Sequence, residues 1–339
     1  MNSNTPSAAV RPAAMNPANP FSPNQRAWRR FRRNRVAMAS ASLLAFLVAA
    51  ILIWPLFSRP PLAPLLPPAM THPPNAISDA QFQPPGGPHW FGTDVHGRDL
   101  LSRVCGGARI SLFVGLVGTA VSLVIGVLWG AIAGYRGGRW DAVMMRCVDV
   151  LYSMPSIIFV IVLITTLNAL LGKWQSGPER LSDGAVQWLQ FTALFGGLGA
   201  VSWLPMARIV RGQVLSLRHR AFVEASRALG AGHGRILLRH ILPNVYGVII
   251  VYLTMTVPSI ILYESFLSWL GLGIQPPRAS LGSLIASGSE QINSIRVYWW
   301  LIVFPGAMLA LTLLALNFVG DALRDAWDPR AEGREAAEK

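Results

Sequence analysis

Six long apolar stretches without a charged residue constrain this chain more than any other feature of its sequence. A helix needs about 20 apolar residues to cross the hydrocarbon core of a bilayer, and each stretch reaches that length. Because lipid offers the backbone no hydrogen-bond partners, each stretch is expected to be a helix that satisfies its own amides. The sequence therefore predicts an all-α membrane protein with six transmembrane helices, at Val36–Phe57, Ile110–Tyr135, Val150–Leu171, Ala185–Ala207, Ile241–Tyr263 and Val297–Gly320. The third helix is allowed an earlier start, near Asp141, because the residues before Val150 remain largely apolar.

The distribution of Lys and Arg predicts which helix ends face the cytoplasm. With a cytoplasmic N-terminus, 21 of the 29 Lys and Arg residues lie in cytoplasmic segments and eight in external ones. This bias favours both termini in the cytoplasm. It also accounts for the net charge of +13 without nucleic acid as a partner, because the arginines between Arg29 and Arg35 are expected to lie against anionic lipid headgroups.

Composition divides the chain into five segments. Residues 1–35 are rich first in Pro, Asn, Ser and Ala and then in Arg, and they are predicted to form a disordered, basic cytoplasmic tail. The first transmembrane helix is expected to be retained, because the 35 residues before it exceed the n-region of a signal peptide. The remaining boundaries are the first helix at 36–57, an external Pro-rich segment at 58–107, a five-helix core at 108–320 with a cytoplasmic loop at 208–244, and a cytoplasmic tail at 321–339.

The external segment is predicted to combine extended chain with one short helix. Ten prolines between Pro60 and Pro88 favour extended structure. In the stretch HWFGTDVHGRDLLSRV, Asp94 is expected to cap a short helix. Asp99 and Arg103 would then pair at i and i+4.

Potential metal ligands and cysteines show no recognisable spacing. His89, Asp94 and His96 match no known ligand pattern, so a hydrogen-bonded external cap is the simpler interpretation. Cys105 and Cys147 form no C-x-x-C and are predicted on opposite membrane faces, so they are expected to remain unpaired thiols.

The second transmembrane stretch carries small residues at every fourth position. Such a ridge lets the backbones of two membrane helices approach closely. It predicts a tight seam with a neighbouring helix or subunit, formed by Gly118, Ser122, Gly126, Gly130 and Gly134.

The loop 208–244 is basic but not uniformly polar. It carries seven arginines, and an apolar stripe is predicted on a helix that begins near Arg218, at Phe222, Ala225, Ala228 and Leu229. Glycines at 230, 232 and 234 break this helix before the chain returns to the fifth span. Three interpretations are open: a helix lying on the bilayer, a self-packed loop, or a socket for a cytosolic partner. Only the third also accounts for the glycine bend and for Glu224.

The same loop resembles the EAA motif of ATP-binding-cassette importer permeases, E-A-A-x3-G-x9-I-x-L-P. The positions in register are Glu224, Ala225, Gly230, Leu242 and Pro243. Two positions depart from the pattern, because Ser226 replaces the second alanine and His240 stands in the isoleucine position. Four further stretches resemble the oligopeptide permease C branch of that family: FGTDVHGRDLLSR (91–103), SWLPMARIVRGQ (202–213), ESFLSWLGLG (264–273) and GDALRDAWDP (320–329).

The resemblance implies a type I importer permease fold in a bacterial inner membrane. It also implies that the chain carries oligopeptides or dipeptides as one of two different permease subunits, without enzymatic activity or a cofactor of its own. The implied partners are a second permease subunit, an external solute-binding protein and two cytosolic ATPase subunits that hold ATP and Mg²⁺. The implied ATPase-coupling residues are Glu224, Ala225, Ser226, Gly230, Leu242 and Pro243.

The alternatives to a peptide permease differ in the solute or in the transport mechanism. The same family also includes permeases for nickel, peptide-like antibiotics and glutathione. An ion-coupled carrier would need charged groups at mid-membrane depth, which the spans lack. No G-x4-G-K-[ST] is present, so the chain is not expected to bind ATP.

Isolated titratable residues complete the candidates. Glu264 is the one carboxylate close to an apolar span, either as a group lining the translocation path or as an ordinary residue of the outer interface. His219, His233 and His240 lie on the basic loop, where contacts with helix ends or headgroups are expected rather than a metal.

Overall fold

The computed structural model describes residues 23–57, 68–175, 182–276, 278–292 and 296–327. Within these ranges the chain is helical, and its one β-type contact is an isolated bridge between Thr93 and Asp99. The helices are α1 Pro23–Arg33, α2 Arg35–Phe57, α3 Pro68–Thr71, α4 Leu100–Arg136, α5 Gly138–Ser153, α6 Ser156–Gln175, α7 Asp183–Leu217, α8 Ala221–Ala228, α9 His233–Ile236, α10 Leu242–Trp269, α11 Leu281–Ser289 and α12 Trp300–Trp327.

Six helical stretches in the described ranges are long and apolar enough to cross a membrane. They are Arg35–Phe57, Leu100–Arg136, Ser156–Trp174, Trp188–Leu217, His233–Trp269 and Trp300–Trp327. The predicted class, an all-α protein with six membrane-spanning helices, is therefore confirmed.

The prediction of a short, separate helix capped by Asp94 is wrong. The helix begins at Leu100 and continues as the 37-residue α4. Its cap is Asp99, whose side chain accepts a hydrogen bond from the Ser102 amide at 2.8 Å. Asp94 instead binds amides of its own loop, including that of His96 at 2.8 Å.

An earlier start for the third transmembrane helix is also wrong. The residues from Gly138 to Ser153 form a separate helix, and the chain is extended at Met154 before α6 begins at Ser156. Pro155 explains the break, because a proline disfavours helical geometry in the residue before it.

The N-terminal tail is not disordered throughout. Residues 1–22 lie outside the described ranges, but 23–33 form α1. Ala27 and Phe31 of α1 are buried in one apolar cluster with Ala322 and Ala326 of α12. The second tail, predicted to begin at residue 321, is likewise helical up to Trp327.

Candidate functional site

A bent arm, residues 218–241, joins the ends of α7 and α10. Helix α7 continues up to Leu217, into the predicted cytoplasmic segment 208–244, and the first helix of the arm begins at Ala221 rather than near Arg218. Gly230 ends α8 with a φ of 80°, a conformation that favours glycine. The amide of Ala231 then donates to the Ser226 carbonyl at 3.1 Å, which is the pattern of a Schellman cap.

The arm re-enters the bundle through a widened helical turn. Residues Leu237–Ile241 form a π-helix, in which the Leu242 amide donates to the Leu237 carbonyl. Pro243 has no amide hydrogen to continue the α-helical pattern, and this accounts for the wider turn. The side chain of Asn244 donates to the His240 carbonyl at 2.6 Å. The π-turn is not among the sequence predictions, although Pro243 is the signal that marks it.

Buried aliphatic side chains fix the arm to the bundle. Val223 of α8 and Ile236 of α9 are both fully buried. They share an apolar cluster with Val210 and Val214 of α7 and with Val245 of α10. The arm is therefore held against the helices that it connects.

The opposite face of α8 is exposed. Phe222 is 40% exposed and Leu229 is 88% exposed, and Ala225 and Glu224 are also exposed. The predicted apolar stripe therefore faces outward and does not pack against the chain itself. The buried anchor of α8, Val223, is not part of the predicted stripe.

Three arginines of the basic loop are bound within the bundle. Arg211 makes a two-pronged contact with the buried Asp141 of α5, at 2.5 Å and 2.6 Å. Arg208 pairs with Asp149 at 2.7 Å. Arg218 donates to the Gly134 carbonyl of α4 at 3.2 Å. These contacts fix the base of the arm to α4 and α5.

The other four arginines of the loop are exposed, and their side chains make no hydrogen bond or ion pair with the part of the chain that the structure describes. They are Arg220, Arg227, Arg235 and Arg239. An exposed apolar face beside unpaired guanidinium groups is suited to contact an acidic, partly apolar surface.

The loop histidines make protein contacts. The Tyr135 hydroxyl lies 3.0 Å from Nδ1 of His233, which links the arm to the end of α4. Nε2 of His219 accepts a hydrogen bond from Arg218 at 2.8 Å. Within the described ranges no group of three or more His, Cys, Asp or Glu residues is placed to hold a metal ion.

The small residues of α4 lie against two helices of the same chain. A Cβ atom at Gly126 would lie 2.7 Å from Cβ of Met206 in α7, and one at Gly134 would lie 2.8 Å from the Arg211 carbonyl. Gly130 lies closer still to α7, whereas Gly118 faces Ile260 of α10. Ser122 is also buried.

Glu264 lies inside the chain and has no solvent-exposed surface. Its carboxylate accepts hydrogen bonds from Ser111 of α4 at 3.0 Å and from Ser268 of α10 at 2.6 Å. The Ser280 hydroxyl donates to Ser268 at 3.1 Å. In this conformation the serines around the carboxylate enclose it, and a role for Glu264 in the translocation path stays a prediction.

Together, the six long helices and the arm packed against them define a multi-pass helical membrane protein. Residues 126–333 match the family described as binding-protein-dependent transport system inner membrane component, and the chain belongs to that family. Residues 22–85 match the N-terminal transmembrane domain of oligopeptide transport permease C.

Curated relatives match over nearly the whole chain. The oligopeptide transport system permease protein OppC of Haemophilus influenzae is 43% identical over 309 residues, which cover 90% of this chain and 88% of that protein. The protein of the same name from Escherichia coli K12 is also 43% identical, with 90% and 91% covered. The dipeptide transport system permease protein DppC of Bacillus subtilis is 40% identical, with 90% and 85% covered.

A solved structure has the same fold. A chain of the inward-facing MetNI methionine ABC transporter superposes with a TM-score of 0.50 and 19% identity, covering 67% of this chain and 97% of its own length. At this identity the likeness concerns the fold alone, which is that of a type I ABC importer permease.

Proposed function

We propose that the chain is a permease subunit of an ATP-binding-cassette importer for oligopeptides or dipeptides. The names of the relatives at 40–43% identity support this substrate class. The subunit forms half of the translocation path in the bacterial inner membrane, and both of its termini lie in the cytoplasm. The excess of Lys and Arg in the segments on that side supports this orientation.

The arm couples this subunit to an ATPase. This part of the proposal rests on the two different faces of α8: Val223 is buried, whereas Phe222 and Leu229 are exposed. A helix that is packed against the bundle on one face and exposed on the other can dock in a cleft of the ATPase. A movement of the ATPase is then transmitted through this helix to α7 and α10. Within the arm and its exit, the coupling residues are Glu224, Ala225, Ser226, Gly230, Leu242 and Pro243.

The complete importer contains a second permease subunit, two cytosolic ATPase subunits and an external solute-binding protein. ATP and Mg²⁺ bind to the ATPase subunits, and this chain needs no cofactor. Membrane lipid surrounds the apolar helices, and nucleic acid is not a partner.

Reversing the charge of Glu224 tests the coupling. In the importer reconstituted in proteoliposomes, Glu224→Arg should lower ATP-driven peptide uptake at least tenfold while the chain still inserts, because Glu224 is exposed on the docking face. Gly230→Pro should have the same effect, because proline cannot adopt the φ of 80° found at Gly230. Peptide uptake and ATP hydrolysis are measured on the same preparation.

The matched control is Asp79→Arg, the same kind of charge change at an exposed position far from the arm. It should leave uptake near that of the unchanged importer. Normal uptake by the Glu224→Arg importer would contradict the proposed role of the arm.

A further inference from the structure

The end of the bundle opposite the arm contains a cavity of about 570 Å³. It lies between the loop before α4, the segment that follows α10, and α11. Its volume falls within the range of about 300–1,000 Å³ that is typical of small-molecule sites. Trp269, Leu284 and Leu301 give it an apolar wall.

Arg103 lines this cavity and is incompletely paired. The residue is only 7% exposed, and its Nε and Nη1 atoms are buried without a hydrogen-bond partner in the described ranges. Its nearest acidic group is Asp94, with Oδ2 at 3.5 Å from Nε, too far for a hydrogen bond. Oδ2 of Asp94 is already bound to Nε of Arg98 at 2.7 Å.

The charges around the cavity do not balance. Of the described residues that line it, Arg98, Arg103 and Arg278 are cationic, whereas Asp94 and Glu290 are anionic. The lining residues therefore carry one excess positive charge. A buried guanidinium with two nitrogens that make no hydrogen bond is costly, and a carboxylate is the partner that matches its planar donors.

We propose that this cavity binds a short peptide and that Arg103 receives its C-terminal carboxylate. The choice of a peptide rests on the proposed function, whereas the choice of a carboxylate rests on Arg103 and on the charge imbalance. The apolar wall accepts a peptide side chain, and Glu290 offers an anionic partner for an ammonium group. The site lies in this subunit, apart from any site in the external binding protein.

The first test uses the unchanged full-length chain in lipid nanodiscs. Binding of tri-alanine and of its C-terminal amide is compared by saturation-transfer NMR titration. The free acid should bind at least about tenfold more tightly, because the amide cannot supply the charge that Arg103 lacks. Equal affinity for acid and amide, or binding of neither, overturns the proposal without any variant having to fold.

The second test replaces the guanidinium. Arg103→Gln should bind acid and amide with equal, weak affinity. Arg109→Gln, which alters an exposed arginine of the same helix outside this cavity, should keep the preference for the acid. A preference that survives in Arg103→Gln overturns the assignment to Arg103.

Two further readouts separate this inference from the proposed function. If Arg103→Gln leaves peptide binding unchanged but weakens binding of the external binding protein, the cavity is a protein-docking site and the inference is wrong. ATP-driven uptake by the unchanged importer tests the proposed function by itself. Uptake can persist when the acid–amide preference is absent, so the two failures are distinguishable.

Discussion

At the scale of single residues, Glu264 is the most deeply buried acidic residue in the described ranges. Its carboxylate has no exposed surface and accepts hydrogen bonds from Ser111 and Ser268. The Leu281 amide in turn donates to the Ser111 hydroxyl at 3.2 Å. One carboxylate therefore holds together α4, α10 and the start of α11.

Removing this acceptor should destabilise the chain. In Glu264→Ala the hydroxyls of Ser111 and Ser268 lose their acceptor inside the protein, at a cost of about 1–3 kcal/mol for each buried polar group left without a partner. Glu264→Gln keeps an acceptor oxygen and should lose less. Thermal unfolding in detergent measures both variants.

Glu290→Ala is the control for this series, since it removes an exposed glutamate at the end of α11. Its melting temperature should stay close to that of the unchanged chain. A Glu264→Ala variant that melts with the unchanged chain would show that the serine network contributes no stability.

Sequence reasoning predicted an apolar face on the arm but not the residue that anchors it. The spacing of Phe222, Ala225 and Leu229 indicated an apolar helix face, yet Val223 is the residue that is buried. Periodicity shows that a face is apolar, but it does not show which face meets the protein when both carry apolar groups. Likewise, no local pattern brings Ser111 to Glu264, because their contact joins residues far apart in the chain.

At the scale of elements, the close contact of α4 with α7 is the main constraint on the bundle. The two helices form the most extensive helix pair in the described ranges. Gly126, Gly130 and Gly134 allow it, because the α7 backbone occupies the space that side chains would fill.

A large side chain in this contact should disrupt it. Gly130→Leu would drive atoms into the Ala207 carbonyl and Val210, and overpacking of this kind costs about 1–3 kcal/mol or more. The melting temperature and the yield of monodisperse chain should both fall. Gly212→Leu, at a glycine of α7 with open space around it, should be tolerated. Equal stability of the two variants would argue against a tight seam.

The elements themselves were largely predictable, whereas their interruptions were not. Apolar length alone located the six spans. The break before α6 and the π-turn before α10 depend on Pro155 and Pro243, and a proline in an apolar run is compatible with a kink, a break or an undisturbed helix. To predict where α4 starts, one must decide whether Asp94 or Asp99 is its N-cap. The bridge with Thr93 and the contact with Ser102 decide that choice only in the folded loop.

At the scale of the whole molecule, the proposed orientation can be tested with a native cysteine. Cys147 is exposed on α5 and should face the cytoplasm, whereas Cys105 is buried. In a Cys105→Ser background, a membrane-impermeant maleimide should label Cys147 only after spheroplasts are permeabilised.

Ile77→Cys, in a chain that also lacks Cys147, provides the reference for the opposite face. Ile77 is 78% exposed in the segment expected to be external, so the new thiol should react in intact spheroplasts. Labelling of Cys147 without permeabilisation would reverse the orientation and place the arm outside the cell.

Helix α4 reaches from one end of this molecule to the other. Arg103 lies in its first turns and Tyr135 in its last, and a helix of 37 residues is about 55 Å long. Because α4 is one continuous helix packed closely against α7, a tilt of its Tyr135 end also displaces its Arg103 end. Thermodynamic reciprocity then applies: if engagement of the arm alters affinity in the distant cavity, occupancy of that cavity alters affinity at the arm by the same factor.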